Sequence, residues 1–68
     1  MSQIIFEVRE SVDGGFEANA LGHNIFTQGE DWDDLKAMVQ DAVRLHFESD
    51  CRPQIIRLMF IREEILSA

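Results

Sequence analysis

From Asn24 to Glu48 the chain reads NIFTQGEDWDDLKAMVQDAVRLHFE, and within this stretch the hydrophobic period changes. Asn24 to Gln28 alternates as a strand does, and Gly29 ends it. From Trp32 onward apolar residues recur at Leu35, Met38, Val39, Ala42 and Val43, with His46 continuing the series. At about 100° per residue these make one stripe, and Asp33, Ala37, Gln40, Asp41 and Arg44 lie opposite. Asp31 is a suitable N-cap, and Asp33 and Asp34 fall in the first turn, where the helix dipole favours anions. The spacing predicts one helix over about residues 32–48. A loop from Ser49 to Pro53 follows, because the residue before a proline is pushed out of helical backbone.

Either side of this segment the period is two. Ile4, Phe6 and Val8 alternate with Ile5, Glu7 and Arg9, as in a half-buried strand. Asp13-Gly14-Gly15 supplies the positive φ angles of a hairpin turn. Phe16 to Leu21 is the return strand, with Phe16, Ala18 and Ala20 on one face; the small alanines leave space for something large to cross. Gly22-His23 is a short second turn. Gln54 to Arg62 reads as the last strand, with Ile56, Leu58 and Phe60 toward the helix and Ile55, Arg57, Met59 and Ile61 on the other face. Two apolar faces predict an inner strand covered on both sides. The fold class is α+β, a single antiparallel sheet with one helix packed on one face, in the order β-β-β-α-β, forming one domain over residues 1–68.

One helix covers one face of such a sheet. Ile5, Leu21, Phe26, Ile55, Met59 and Ile61 collect on the other, where six apolar side chains form a patch of the size that marks an interaction surface. A chain of 68 residues buries only about 60% of its unfolded surface, so a lone monomer is marginal. These six residues are therefore the expected oligomer interface, in a dimer or a higher homo-oligomer that uses the back of the sheet, a strand edge, or both. The alternative is that twist and residues 63–68 hide most of them.

Thirteen acidic against six basic residues give a net charge of −7. Non-specific affinity for nucleic acid comes from Lys and Arg neutralising phosphates, so no direct nucleic-acid binding is expected, and no binding to an anionic membrane surface. A basic protein is the natural partner for such a field. Glu30, Asp31, Asp33 and Asp34 concentrate charge at the helix start and are the candidate partner-binding residues; helix capping with a solvated first turn is the plainer reading of the same four. They lack the alternate spacing and distal Glu of a calcium loop.

No catalytic, cofactor-binding or metal-ligating set is expected. His46 reads as structural at a helix end and His23 as a solvated turn residue. The single Cys51 is an idle loop thiol that suits a reducing compartment. No phosphate loop, G-x-G-x-x-G or zinc spacing is present. Met1 to Glu7 lacks the basic and long apolar regions of a secretion signal, and no run approaches the ~18 apolar residues of a membrane helix. A cytoplasmic location is expected.

Asp13-Gly14-Gly15-Phe16-Glu17-Ala18, then Leu21-Gly22, then Ile25-Phe26-Thr27-Gln28-Gly29-Glu30-Asp31, then Asp34-Leu35 opening a helix, resembles the N-terminal domain of HicB-type antitoxins. The closing Ile56 to Leu66 looks like that of short, stand-alone relatives of HicB. The resemblance spans nearly the whole chain. It implies a β-β-β-α-β fold, self-association, and an antitoxin-like interaction module that occludes a small basic ribonuclease of the HicA kind. HicB proteins carry a further DNA-binding domain, and no segment within these 68 residues matches it, so autorepression is not expected here. The alternative is a stand-alone homo-oligomer that binds a small ligand between subunits.

Overall fold

Ile4, Phe6 and Val8 are buried, as their alternation requires, and they occupy the middle of the first strand, β1 (Gln3–Glu10). The structure, a computed structural model, describes residues 2–68; Met1, which opens the stretch read above for a secretion signal, lies outside them. A tight loop returns the chain into β2 (Phe16–Ala20) with Glu10 opposite Phe16. The loop closes through the Ser11 N–H donating to the Gly15 carbonyl at 3.0 Å, and Gly14 and Gly15 have φ of 90° and 76°. The third strand, β3 (Phe26–Gly29), starts two residues later than the alternation predicts. Ile25 sits just before it, is buried, and holds the turn by accepting from the Ala20 N–H at 3.0 Å.

The helix, α1 (Trp32–His46), begins where predicted and stops two residues earlier than 48. Asp31 is extended (φ −141°), and its carboxylate accepts from the Asp34 N–H at 2.7 Å. Phe47 caps the other end in extended backbone, donating to the Val43 carbonyl at 3.1 Å, and tucks its ring against the core. The buried stripe is Leu35, Val39 and Val43. Met38 and His46, placed in that stripe by spacing alone, are exposed. The stripe is narrow because α1 packs mainly over β3 and β2, and the two alanines there let it come close.

The fourth strand, β4 (Ile55–Phe60), corrects two expectations. The sheet order is β3-β2-β1-β4, so β4 is an edge strand and not an inner one. The sheet is also mixed and not wholly antiparallel: β4 runs parallel to β1, with Ile4 beside Ile56, Phe6 beside Leu58 and Val8 beside Phe60. The direction follows from the helix. Two antiparallel steps leave β3 pointing the same way as β1, α1 carries the chain back to the starting end, and a strand that follows such a crossover is parallel. Its place follows from the hairpins, because β1-β2-β3 form a continuous meander that β4 joins only from outside. Ile56 and Leu58 are half-buried against the core, and Phe60, expected under the helix, is 44% exposed.

The fold depends on a close approach. A Cβ built on Gly29 would lie 2.5 Å from the Leu35 nitrogen and 2.6 Å from its Cα. Gly29→Ala should therefore force the helix off the sheet and cost about 3 kcal/mol, the upper end for overpacking. Gly14→Ala meets open space and only the left-handed backbone term, about 1–2 kcal/mol. Urea denaturation compares the two, and a milder effect at Gly29 would show that the approach does not constrain the fold.

Candidate functional site

The parallel run of β1, β3 and β4 gathers particular residues at one end of the molecule. That end holds the β1–β2 loop, the end of β3, the start of α1 and the end of β4. Glu10 ends β1, Asp13 lies in the loop, Glu17 is the second residue of β2, Glu30, Asp31, Asp33 and Asp34 surround the helix start, and Glu63 and Glu64 follow β4, against Arg9, Lys36 and Arg62 in the same region. The opposite end carries Glu48 and Asp50, with Arg44 and Arg52 between the helix end and the loop. The net negative charge is thus polarised.

Three aromatic rings from three elements meet at the acidic pole. Phe16 of β2 lies 5.5 Å from Trp32 of α1 and 5.9 Å from Phe60 of β4, and Trp32 lies 5.9 Å from Phe60, all edge to face. Each such pair contributes about 0.5–1.5 kcal/mol beyond its buried area. The cluster closes the core at this end, yet Trp32 remains 37% exposed. The sequence reading did not find this cluster. Phe16 and Phe60 sat on correctly assigned inward faces; Phe16 lies near Trp32 because it pairs with Gly29, and Phe60 joins them only because β4 lies beside β1.

The four candidate acids divide by what they touch. Asp31 caps the helix, and Asp34 returns the arrangement by accepting from the Glu30 N–H at 2.9 Å through Oδ2. Asp33 lies 3.2 Å from Lys36, an exposed pair of small energetic weight. The Glu30 carboxylate has no bonded partner among the described residues. Two of the four acids therefore shape the helix start, and Glu30 and Asp33 project charge without a backbone role.

The six apolar residues expected at the oligomer interface do share the face away from the helix. Leu21 follows the β2–β1 pairing to Ile5, its N–H donating to the Ile5 carbonyl at 2.9 Å. Ile55 and Met59 lie on β4 opposite Gln3 and Glu7, and Ile61 follows with its N–H donating to the Val8 carbonyl at 2.8 Å. Phe26 is 58% exposed on the far edge strand, opposite Asn19. Charge interrupts the set: Glu7 stands between Asn19 and Met59, Arg9 faces Glu17, and Arg57 faces Ile5. The apolar weight of this face lies along β4.

At the other pole His23 and His46 stack edge to face against Phe47, their rings 5.2 Å and 4.9 Å from it and 6.1 Å from each other. Cys51 is exposed in the loop before β4. Among the described residues no three His, Cys, Asp or Glu side chains are placed to hold a metal ion. No described helix is long and apolar enough to cross a membrane.

Capping and charge can be separated experimentally. Asp31→Ala should lower stability by about 1 kcal/mol, the usual cost of a lost cap. Glu30→Gln should leave it within about 0.5 kcal/mol, as for a surface site. Thermal unfolding of the two variants checks this.

No protein-family model matches the chain, and no solved structure matches it. Two curated relatives do. A UPF0150 protein of Archaeoglobus fulgidus is 52% identical over 52 residues, which is 76% of this chain and 77% of that protein. A UPF0150 protein of Thermotoga maritima is 36% identical over 61 residues, covering 90% of this chain and 86% of the relative. Identity of this extent over most of both chains means that the protein belongs to the UPF0150 family.

Proposed function

We propose that this chain is a non-catalytic protein-interaction module, HicB antitoxin-like, that neutralises a small basic HicA-like ribonuclease by covering it. The carrying observation is the half-exposed Phe16–Trp32–Phe60 cluster at the pole where most of the carboxylates gather. Aromatic side chains, Trp above all, dominate the energy of protein interfaces, and the groups around them exclude water. Acids around the anchor steer a basic partner and raise its association rate more than its final affinity. A ribonuclease must present basic groups to hold RNA phosphates, and these are the groups an acidic pole attracts. The mechanism is steric and electrostatic occlusion, and this chain performs no chemistry. The resemblance of Asp13 to Leu35 to HicB N-terminal domains supports the same reading.

The partner to test first is a short basic protein with one histidine, encoded beside this chain. Adding the present protein should stop that partner's cleavage of RNA. The association rate should fall several-fold between about 20 and 150 mM salt, as screening of exposed charge requires. Glu30→Gln with Asp33→Asn should reproduce that slowing while the fold stays intact. Trp32→Ala should raise Kd at least about tenfold, as for an interface hot spot. A rate indifferent to salt and to both acids, with RNA cleavage unaffected, would remove the reading.

A further inference from the structure

We infer that two copies of this chain join through the free edge of β4, antiparallel about a two-fold axis at Leu58, into one continuous sheet. The inference concerns self-assembly and does not rest on the existence of a basic partner.

The backbone supplies the first argument. Ile55 donates its N–H to the Ser2 carbonyl and Ile61 donates to the Val8 carbonyl, so the odd-numbered residues of β4 bond toward β1. Successive residues of a strand point their N–H and C=O groups to opposite edges. Ile56, Leu58 and Phe60 therefore present theirs to the open side. An exposed row of this kind invites another strand unless the protein blunts it. The other edge is blunted, since β3 has only four residues and ends at Gly29. The β4 edge has six residues, Ile-Ile-Arg-Leu-Met-Phe, with no proline, no lysine and one charge.

Register supplies the second. A two-fold interface must be complementary to itself. An axis at Leu58 pairs Ile56 with Phe60 of the second copy and Leu58 with its own counterpart, so each outward N–H meets an outward carbonyl. On the other face Arg57 lies opposite Met59, and Ile55 opposite Ile61. An axis at Arg57 would instead set arginine against arginine, which is unfavourable.

Area supplies the third. A compact monomer of 7.8 kDa has about 4,400 Å² of accessible surface. This chain has 5281 Å². The excess, roughly 900 Å², is close to the ~800 Å² that one side of a standard interface buries. Residues 62–68, which follow the last bond to β1 and have no regular structure, add to it, with Ile65 94% and Leu66 79% exposed. Antiparallel pairing carries this segment past the start of the partner copy's β4. That end carries Arg52, whose guanidinium donates to the Arg44 carbonyl, and the exposed Leu45.

The test is a charge exchange read by sedimentation equilibrium and amide exchange. The wild-type protein should sediment at twice its monomer mass at about 100 μM. The amides of Ile56, Leu58 and Phe60 should exchange at least about tenfold more slowly than in a monomeric variant. Met59→Lys sets lysine against Arg57 across the axis while facing Glu7 within its own copy, so it should fold and be monomeric. Adding Arg57→Glu restores opposite charges across the axis, and the double variant should recover the dimer. A monomeric wild type, a dimer indifferent to Met59→Lys, or a double variant that stays monomeric would each overturn the inference.

Discussion

Gly29 has no side chain because the backbone of Leu35 fills the space one would need. This contact sets the geometry of the rest. The helix starts three residues after β3 ends; the Asp34 carboxylate accepts from the Glu30 N–H of the connecting turn, and the Asp31 carboxylate accepts from the Asp34 N–H in the first helical turn. The helix is thereby held over β3 and β2, where Ala18 and Ala20 admit Leu35, Val39 and Val43. Held there, it cannot also roof β4. The half-buried state of Ile56 and Leu58 and the exposure of Phe60 are consequences of a helix pinned to the other half of the sheet.

The same contact builds the acidic pole. A strand that passes directly into a capped helix brings the anion-favouring first turn to the end where β1 and β4 also finish. Carboxylates that stabilise the helix start and carboxylates that decorate the hairpin become neighbours, with Phe16, Trp32 and Phe60 between them. The four acids divide between backbone capping and free charge. Asp31 and Asp34 shape the backbone, and Glu30 and Asp33 project the field that a basic partner would meet.

The free edge of β4 and the acidic pole are separate features of the surface. In the inferred antiparallel pair the two poles would fall at opposite ends of the joined sheet. Relatives 52% and 36% identical over most of their length have chains of similar size, so they share the problem of a small core.

Local pattern was enough for much of this protein. The strands around Phe6 and Ala18, the helix from Trp32 and its Asp31 cap were legible, because burial on one face imposes a period of two or of 3.6 on the residues themselves. The shared back face of Ile5, Leu21, Phe26, Ile55, Met59 and Ile61 was legible for the same reason. Direction and neighbour were not. An alternating strand reads the same whether its partner runs with or against it, so β4 passed for an inner antiparallel strand. Nor did helical spacing show that Met38 and His46 lie outside the stripe, since its width depends on where the helix rests. The aromatic cluster at the pole was hidden by sequence separation: Phe16, Trp32 and Phe60 belong to three elements, and Phe60 joins the other two only once β4 lies beside β1. Sequence alone determined what each segment buries. The crossover and the close approach at Gly29 decided which segments meet, because those choices are made between elements that carry no local mark of each other.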